Sequence, residues 1–263
     1  MPRIVAVPCL KDNYAYLVVC PTTGRAAIVD PGEAAPVLEA VRREGVTLAA
    51  VWATHHHPDH VAGIEGVIAE LGTLEVVAHR HDQGRVPHAS TLVDEGDEVA
   101  VGEVRAGILH NPGHTLGAIS FHVAAAGDEP GAVFTGDTMF AAGCGRLFEG
   151  TAAMMRASLD KLAALPEATR VYFGHEYTAA NLRFAAAVEP TSEAIAARVA
   201  AVAAARDRGE PTTPSTVALE RATNPFVRSA APAVIEAARR RDPAAANPDE
   251  VLATIRSWKD GFK

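Results

Sequence analysis

The sequence predicts an α/β protein whose C-terminal third is helical. Up to residue 173, short β-branched runs alternate with amphipathic helical patterns; beyond it the chain turns Ala-rich with helical spacing. A third observation is positional: four of the apolar runs lead through a Gly or Thr into a His or Asp, which gathers one kind of side chain at the ends of strands.

Taken in order, residues 16–19 and 27–29 read as strands joined by turns with no helix between them, so antiparallel pairing is expected before residue 33. Residues 33–44 place Val37, Leu38 and Val41 on one helical face, and residues 61–71 do the same with Ile64, Val67, Ile68 and Leu71. Strands are expected at 48–52, 76–77, 99–101, 107–109, 119–123, 132–134 and 171–173. From Glu176 onward the spacing of Ile195, Val199 and Val202 is helical, broken by Gly209, Pro211, Pro214, Pro225 and Pro243. We place one boundary here, with 1–173 as an α/β domain and 174–263 as a helical one. The alanine enrichment reads as helix propensity.

Composition excludes several functions. With 24 Lys and Arg against 32 Asp and Glu, the net charge is −8, which leaves no basic face for nucleic acid. No apolar stretch is long enough to span a bilayer, so no membrane role is expected. The first apolar run is interrupted by Pro8, Lys11 and Asp12, and no signal-peptide core is read there. Cys9, Cys20 and Cys144 have no paired spacing, which points to a reducing compartment; a cytoplasmic monomer is expected.

Eleven histidines are present, four of them between positions 55 and 60. In Thr54-His55-His56-His57-Pro58-Asp59-His60 the chain leaves a strand and enters a helix. Residues two apart in extended chain point the same way, so His55 and His57 converge, while Asp59 and His60 follow the Pro58 turn toward a neighbouring point. His56 points away. Three further strand ends lead to Pro112-Gly113-His114-Thr115, Thr135-Gly136-Asp137-Thr138 and Gly174-His175-Glu176. Each Gly permits a close backbone approach. We group His55, His57 and His114 for one ion and Asp59, His60 and His175 for another, with Asp137 between them. Asp59 and Asp137 are the candidate catalytic carboxylates. Imidazole and carboxylate without thiolate suit two divalent ions, zinc first, with iron or manganese also compatible. Such a pair activates water and polarises a carbonyl or phosphoryl oxygen, so the reaction expected is hydrolysis. Thr54, Thr115 and Glu176 are placed to orient imidazoles or to serve structure alone; His79, His81, His88, His110 and His122 and the thiol of Cys144 stay outside the set.

These motifs together resemble the dinuclear metallo-β-lactamase superfamily. The resemblance implies an αβ/βα four-layer sandwich with the metals at one edge of the sheets. Narrower segments, Leu10-Lys11-Asp12-Asn13-Tyr14, the stretch 140–151 around Gly143-Cys144-Gly145-Arg146, Gly174-His175-Glu176-Tyr177, Thr223-Asn224-Pro225-Phe226 and Arg256-Ser257-Trp258-Lys259, are similar to the glyoxalase II family. That similarity runs from residue 10 to 259 and includes the helical region. It implies hydrolysis of S-D-lactoylglutathione by a metal-bridging hydroxide, with glutathione held by Arg146, Phe148, Tyr177, Arg256 and Lys259. Arg146 stands where Lys is common in that family, and Phe148 where Tyr is common, which removes a hydroxyl. The residues are compatible on physical grounds: Arg256 and Lys259, three apart on a helix, share a face that suits a dicarboxylate peptide, although without the resemblance the pair reads first as a solvated helix end complementing its dipole. A lactonase or β-lactamase on the same metals and a mononuclear-iron persulfide dioxygenase are the rivals from the same superfamily.

Overall fold

The computed structural model describes residues 1–262. In chain order the elements are β1 (Arg3–Cys9), β2 (Asn13–Val19), β3 (Arg25–Val29), α1 (Ala34–Glu44), β4 (Thr47–Trp52), α2 (Pro58–Val61), α3 (Gly63–Leu71), β5 (Glu75–His79) and β6 (Thr91–Val93). Next come β7 (Glu98–Val101), β8 (Val104–His110), β9 (Ile119–Val123), β10 (Ala132–Gly136), β11 (Met139–Phe140), β12 (Gly143–Cys144), α4 (Ala152–Ala163) and β13 (Arg170–Phe173). The remainder is α5 (Thr178–Val188), α6 (Glu193–Asp207), β14 (Ser215–Thr216), α7 (Val217–Thr223), α8 (Pro232–Arg239) and α9 (Pro248–Asp260). Two compact units result. One holds residues 1–110, 117–136 and 172–175; the other holds 111–116, 137–171 and the chain from Glu176.

In the first unit β1 to β6 form one sheet in sequence order. Pairing is antiparallel across β1, β2 and β3 and parallel from β3 to β6, as expected where hairpins precede residue 33 and helices connect strands after it. Strand β2 is buried along its whole length because both of its faces are covered. Ala15, Leu17 and Val19 join Val37, Val41, Ile64 and Val67 of α1 and α3 in one core. On the opposite face Tyr16 lies 5.7 Å from Phe134 and 5.2 Å from Tyr172, and Trp52 stacks on Phe121 at 5.2 Å. Those partners belong to the second sheet, which here runs β13, β10, β9, β8, β7. Each large apolar side chain buried between the sheets contributes about 1.5–3 kcal/mol.

The helix expected over 61–71 is divided at Ala62 into α2 and α3. The cause is a close approach: Gly63 N donates to Pro31 O, and a Cβ on Gly63 would lie 2.5 Å from that oxygen.

In the second unit α4 was not anticipated from the sequence. Thr151 caps it by accepting from Met154 N, and Met155, Leu159 and Leu162 form its buried face. Helices α5 and α9 meet through Phe184 and Trp258, whose rings lie 5.1 Å apart edge to face, and Glu220 of α7 is buried in a pair with Arg198 of α6 at 2.7 Å. A capping box at Asn247 and Glu250 starts α9.

Candidate active site

Strand β4 delivers Thr54 and His55 to the end of the first sheet, and there a carboxylate from the end of β3 organises them. Asp30, buried, accepts from Thr54 N at 2.7 Å through Oδ1 and from Thr54 Oγ1 at 2.6 Å through Oδ2. The same Oδ2 lies 3.0 Å from His60 Nδ1. A carboxylate there assigns the proton to Nδ1 and leaves His60 Nε2 as a lone-pair acceptor. Asp12 does the same for His175, with Oδ1 3.0 Å from Nδ1. The two Nε2 atoms then face each other at 3.3 Å, and Asp59 Oδ2 lies 3.3 Å from that of His175 and 3.7 Å from that of His60. Asn13 Nδ2 donates to both Asp59 Oδ2 and Asp59 O at 3.1 Å. Two imidazole lone pairs and a carboxylate oxygen converging at this range repel unless a cation or proton lies among them, so the donor set fits a divalent ion. His55 lies beside this cluster, its ring 4.2 Å from His60 and 4.7 Å from His57, with Thr54 Oγ1 3.1 Å from its Nδ1. Asp30, His55 and His60 also offer ligand atoms within 4.8 Å of one another.

In the second unit His114 Nδ1 donates to Arg146 O at 2.8 Å, which aims Nε2 toward Asp137, 3.5 Å away at Oδ2. The chain between them passes so close that a Cβ on Gly145 would lie 2.2 Å from Asp137 O and 2.7 Å from His114 Nδ1; only glycine fits. The exposed ring of Phe148 stands edge-on to His114 at 5.3 Å. Arg146 Nε and Arg256 Nη2 share Asp260 Oδ1 at 3.6 and 3.1 Å. Arg256 is buried and also donates from Nη1 to Cys144 O at 2.7 Å. Lys259 Nζ donates to Ala180 O at 3.2 Å, and burial, helped by Arg256 and Arg183, pulls its pKa down to about 8. Tyr177 is exposed, with its ring 5.6 Å from that of Phe140.

Of the residues expected to orient imidazoles, Thr54 does so. Thr115 Oγ1 is buried with no hydrogen-bond partner among the described residues, and Glu176 accepts from Thr212 N and Oγ1 at 2.8 and 2.7 Å. His56 turns away, as the strand alternation predicts, to Asp82 at 3.0 Å and to Arg85. Burial raises the pKa of the Cys144 thiol. Sequence reasoning missed Asp30, Asp12, Asn13, Asp82 and Asp260. The available signals were Asp30-Pro31-Gly32 directly after a strand and Asp12-Asn13 inside a motif already singled out.

Residues 11–175 match the family described as metallo-beta-lactamase superfamily, and residues 176–262 match the family described as hydroxyacylglutathione hydrolase C-terminus. A hydroxyacylglutathione hydrolase from Alkalilimnicola ehrlichii is 49% identical over 263 residues, covering 99% of each chain, and one from a Jannaschia species is 44% identical over 261 residues, again covering 99% of each. Among solved structures, ETHE1 from Myxococcus xanthus superposes with a TM-score of 0.66 at 24% identity, covering 98% of both chains. At that identity the likeness is one of fold, the metallo-β-lactamase fold. With both halves matched and near-full-length relatives above 40% identity, the chain belongs to the hydroxyacylglutathione hydrolase family of the metallo-β-lactamase superfamily.

Proposed function

We propose that this chain hydrolyses S-D-lactoylglutathione to D-lactate and glutathione, the second step of methylglyoxal removal. The observation that carries the reading is the convergence of His60 Nε2, His175 Nε2 and Asp59 Oδ2 within 3.3–3.7 Å on a member of a family named for this chemistry. We assign His55, His57 and His114 to one divalent ion and Asp59, His60 and His175 to a second, with Asp137 between the two. Zinc is the first choice, with iron or manganese as alternatives. When bound, the ions act as Lewis acids toward the acyl oxygen and lower the pKa of water toward neutrality.

The chain's own groups do the rest. Asp59, steadied by Asn13, orients the attacking water, and the carboxylates behind His60 and His175 keep both Nε2 atoms available. Arg146, Tyr177, Arg256 and Lys259 receive the glutathione portion, a peptide with two carboxylates, and Phe148 offers a ring face without a hydroxyl. The sulfur leaves as a thiolate of pKa about 8.5, so no strong general acid is required. On this reading 1–173 carries the metal chemistry, joined by His175, and 174–263 binds glutathione together with Arg146 and Phe148. We also infer a cytoplasmic monomer. Three free, buried cysteines support the compartment, and no described helix is long and apolar enough to cross a membrane.

The test is hydrolysis of S-D-lactoylglutathione beside a non-glutathione thioester and a lactone, with metal content measured on the same sample. Strong preference for the glutathione thioester and about two ions per chain are expected. His57→Ala and Asp137→Ala should lose metal and nearly all hydrolysis. A fully metallated, fully active Asp137→Ala chain would defeat the assignment.

A further inference from the structure

We propose that the helical segment has a second task beyond binding glutathione: Asn224, Glu220, Asn181 and Arg256 are positioning residues that hold the β11–β12 hairpin, and through it His114 and Asp137, in register. The proposal rests on the metal assignment made above. Its starting point is an oddity of burial. Residues 140–144 form a tight hairpin, a kind of turn whose backbone normally faces water, yet all five are buried. Buried backbone polar groups require partners. Here four side chains from three helices supply them: Asn181 of α5, Glu220 of α7 with Asn224 at its C-cap, and Arg256 of α9.

Asn224 Nδ2 lies 3.2 Å from Phe140 O and 2.9 Å from Gly143 O. Asn181 Nδ2 donates to Ala141 O at 3.1 Å, and Arg256 Nη1 donates to Cys144 O. Glu220 Oε2 accepts from Ala142 N at 2.8 Å. Ala142 has φ +53°, a left-handed conformation that is strained for a residue with a Cβ. Glu220 has no solvent exposure, and its other oxygen is committed to Arg198 and Ser215, so the clamp is itself fixed. Four carbonyls, those of Phe140, Ala141, Gly143 and Cys144, and the amide of Ala142 between them are thus all held from the helical side.

The hairpin matters because of what it abuts. The chain leaves it through Gly145, pressed against Asp137 O and the His114 ring, and then presents Arg146 O to His114 Nδ1. Asp137 precedes the hairpin by two residues. A shift of the hairpin would therefore remove the hydrogen bond that sets the His114 tautomer and would turn Asp137 at the same time. A role in packing alone predicts loss of thermal stability and nothing more.

The decisive experiment uses the full-length metallated chain with Asn224→Ala and, separately, Asn181→Ala. Both leave the Arg198–Glu220 pair intact, so the helices retain their buried charge partner. For Asn224→Ala we expect bound metal to fall from about two ions per chain toward one and kcat to fall about 10–100-fold, with KM for S-D-lactoylglutathione within about threefold and the far-ultraviolet circular dichroism unchanged. Excess metal should restore part of kcat. Asn181→Ala should move the same quantities less. A lower Tm with both ions and native kcat retained overturns the proposal, and so does failure of both variants to fold, since the amides would then serve the helical packing itself. If the unsubstituted chain binds two ions yet leaves the thioester intact, the proposed substrate is wrong while the metal count in the variants still decides this inference.

Discussion

At the scale of single residues, the site is governed by groups behind the ligands. Asp30, Asp12 and the carbonyl of Arg146 each take the far nitrogen of a proposed histidine ligand and so decide which atom it presents, while Asn13 holds the Asp59 oxygen that faces them. Lys259 shows how environment would set a proposed binding group. Half burial and two neighbouring guanidinium groups hold its pKa near 8, well under the usual lysine value. The charged form, which a glutathione carboxylate favours, is present below that pH and is lost as pH rises through it. KM for the glutathione thioester should therefore climb above pH about 8, whereas Lys259→Arg, charged throughout, should show a flat KM over the same range. Steady-state kinetics between pH 6.5 and 9.5 would check this; a flat KM in the unsubstituted chain would contradict it.

At the scale of elements, the strand ends were legible and some joints were not. The candidate ligands lie just after β4, β8, β10 and β13, because an apolar run leading into Gly or Thr is a local signal. The division of α2 from α3 was not legible, since it depends on Pro31, thirty residues upstream. Nor was the joint between β5 and β8. His79 at the end of one strand stacks on His110 at the end of the other, with ring centroids 4.2 Å apart and an interplanar angle of 13°. Burial, followed by His110, lowers the His79 pKa to about 4, with Asp94 only partly opposing. The unfolded chain takes up this proton near pH 6.5 while the folded chain resists until about pH 4, so stability drops as pH falls across that window. His79→Asn removes this penalty. Its Tm relative to the unsubstituted chain should rise steadily from pH 6.5 toward pH 4.5, and thermal denaturation of both proteins in matched buffers would reveal a constant difference if the stack were inert.

For the whole molecule, a cluster of converging nitrogen lone pairs and carboxylates couples metal binding to folding. Ions that bind only the native state add about 4 kcal/mol at a thousandfold excess over Kd. In a chain of this size that corresponds to a Tm about 10 °C lower after chelation, recovered on adding metal back. Scanning calorimetry before and after chelation measures it; an unchanged Tm would mean that the native chain holds no ion at this cluster.

The sequence by itself determined the α/β start and helical end, the seven candidate ligands, the hydrolytic chemistry and the family, because each of these rests on short-range periodicity or on contiguous motifs. The tertiary structure alone decided which carboxylate backs which imidazole, that residues 111–116 and 137–171 belong with the helical unit, and that Arg256 reaches the carbonyl of Cys144. Those facts join positions tens to more than a hundred residues apart, and such pairings leave no periodic trace in the chain: they are selected only when burial forces each polar group to find a partner.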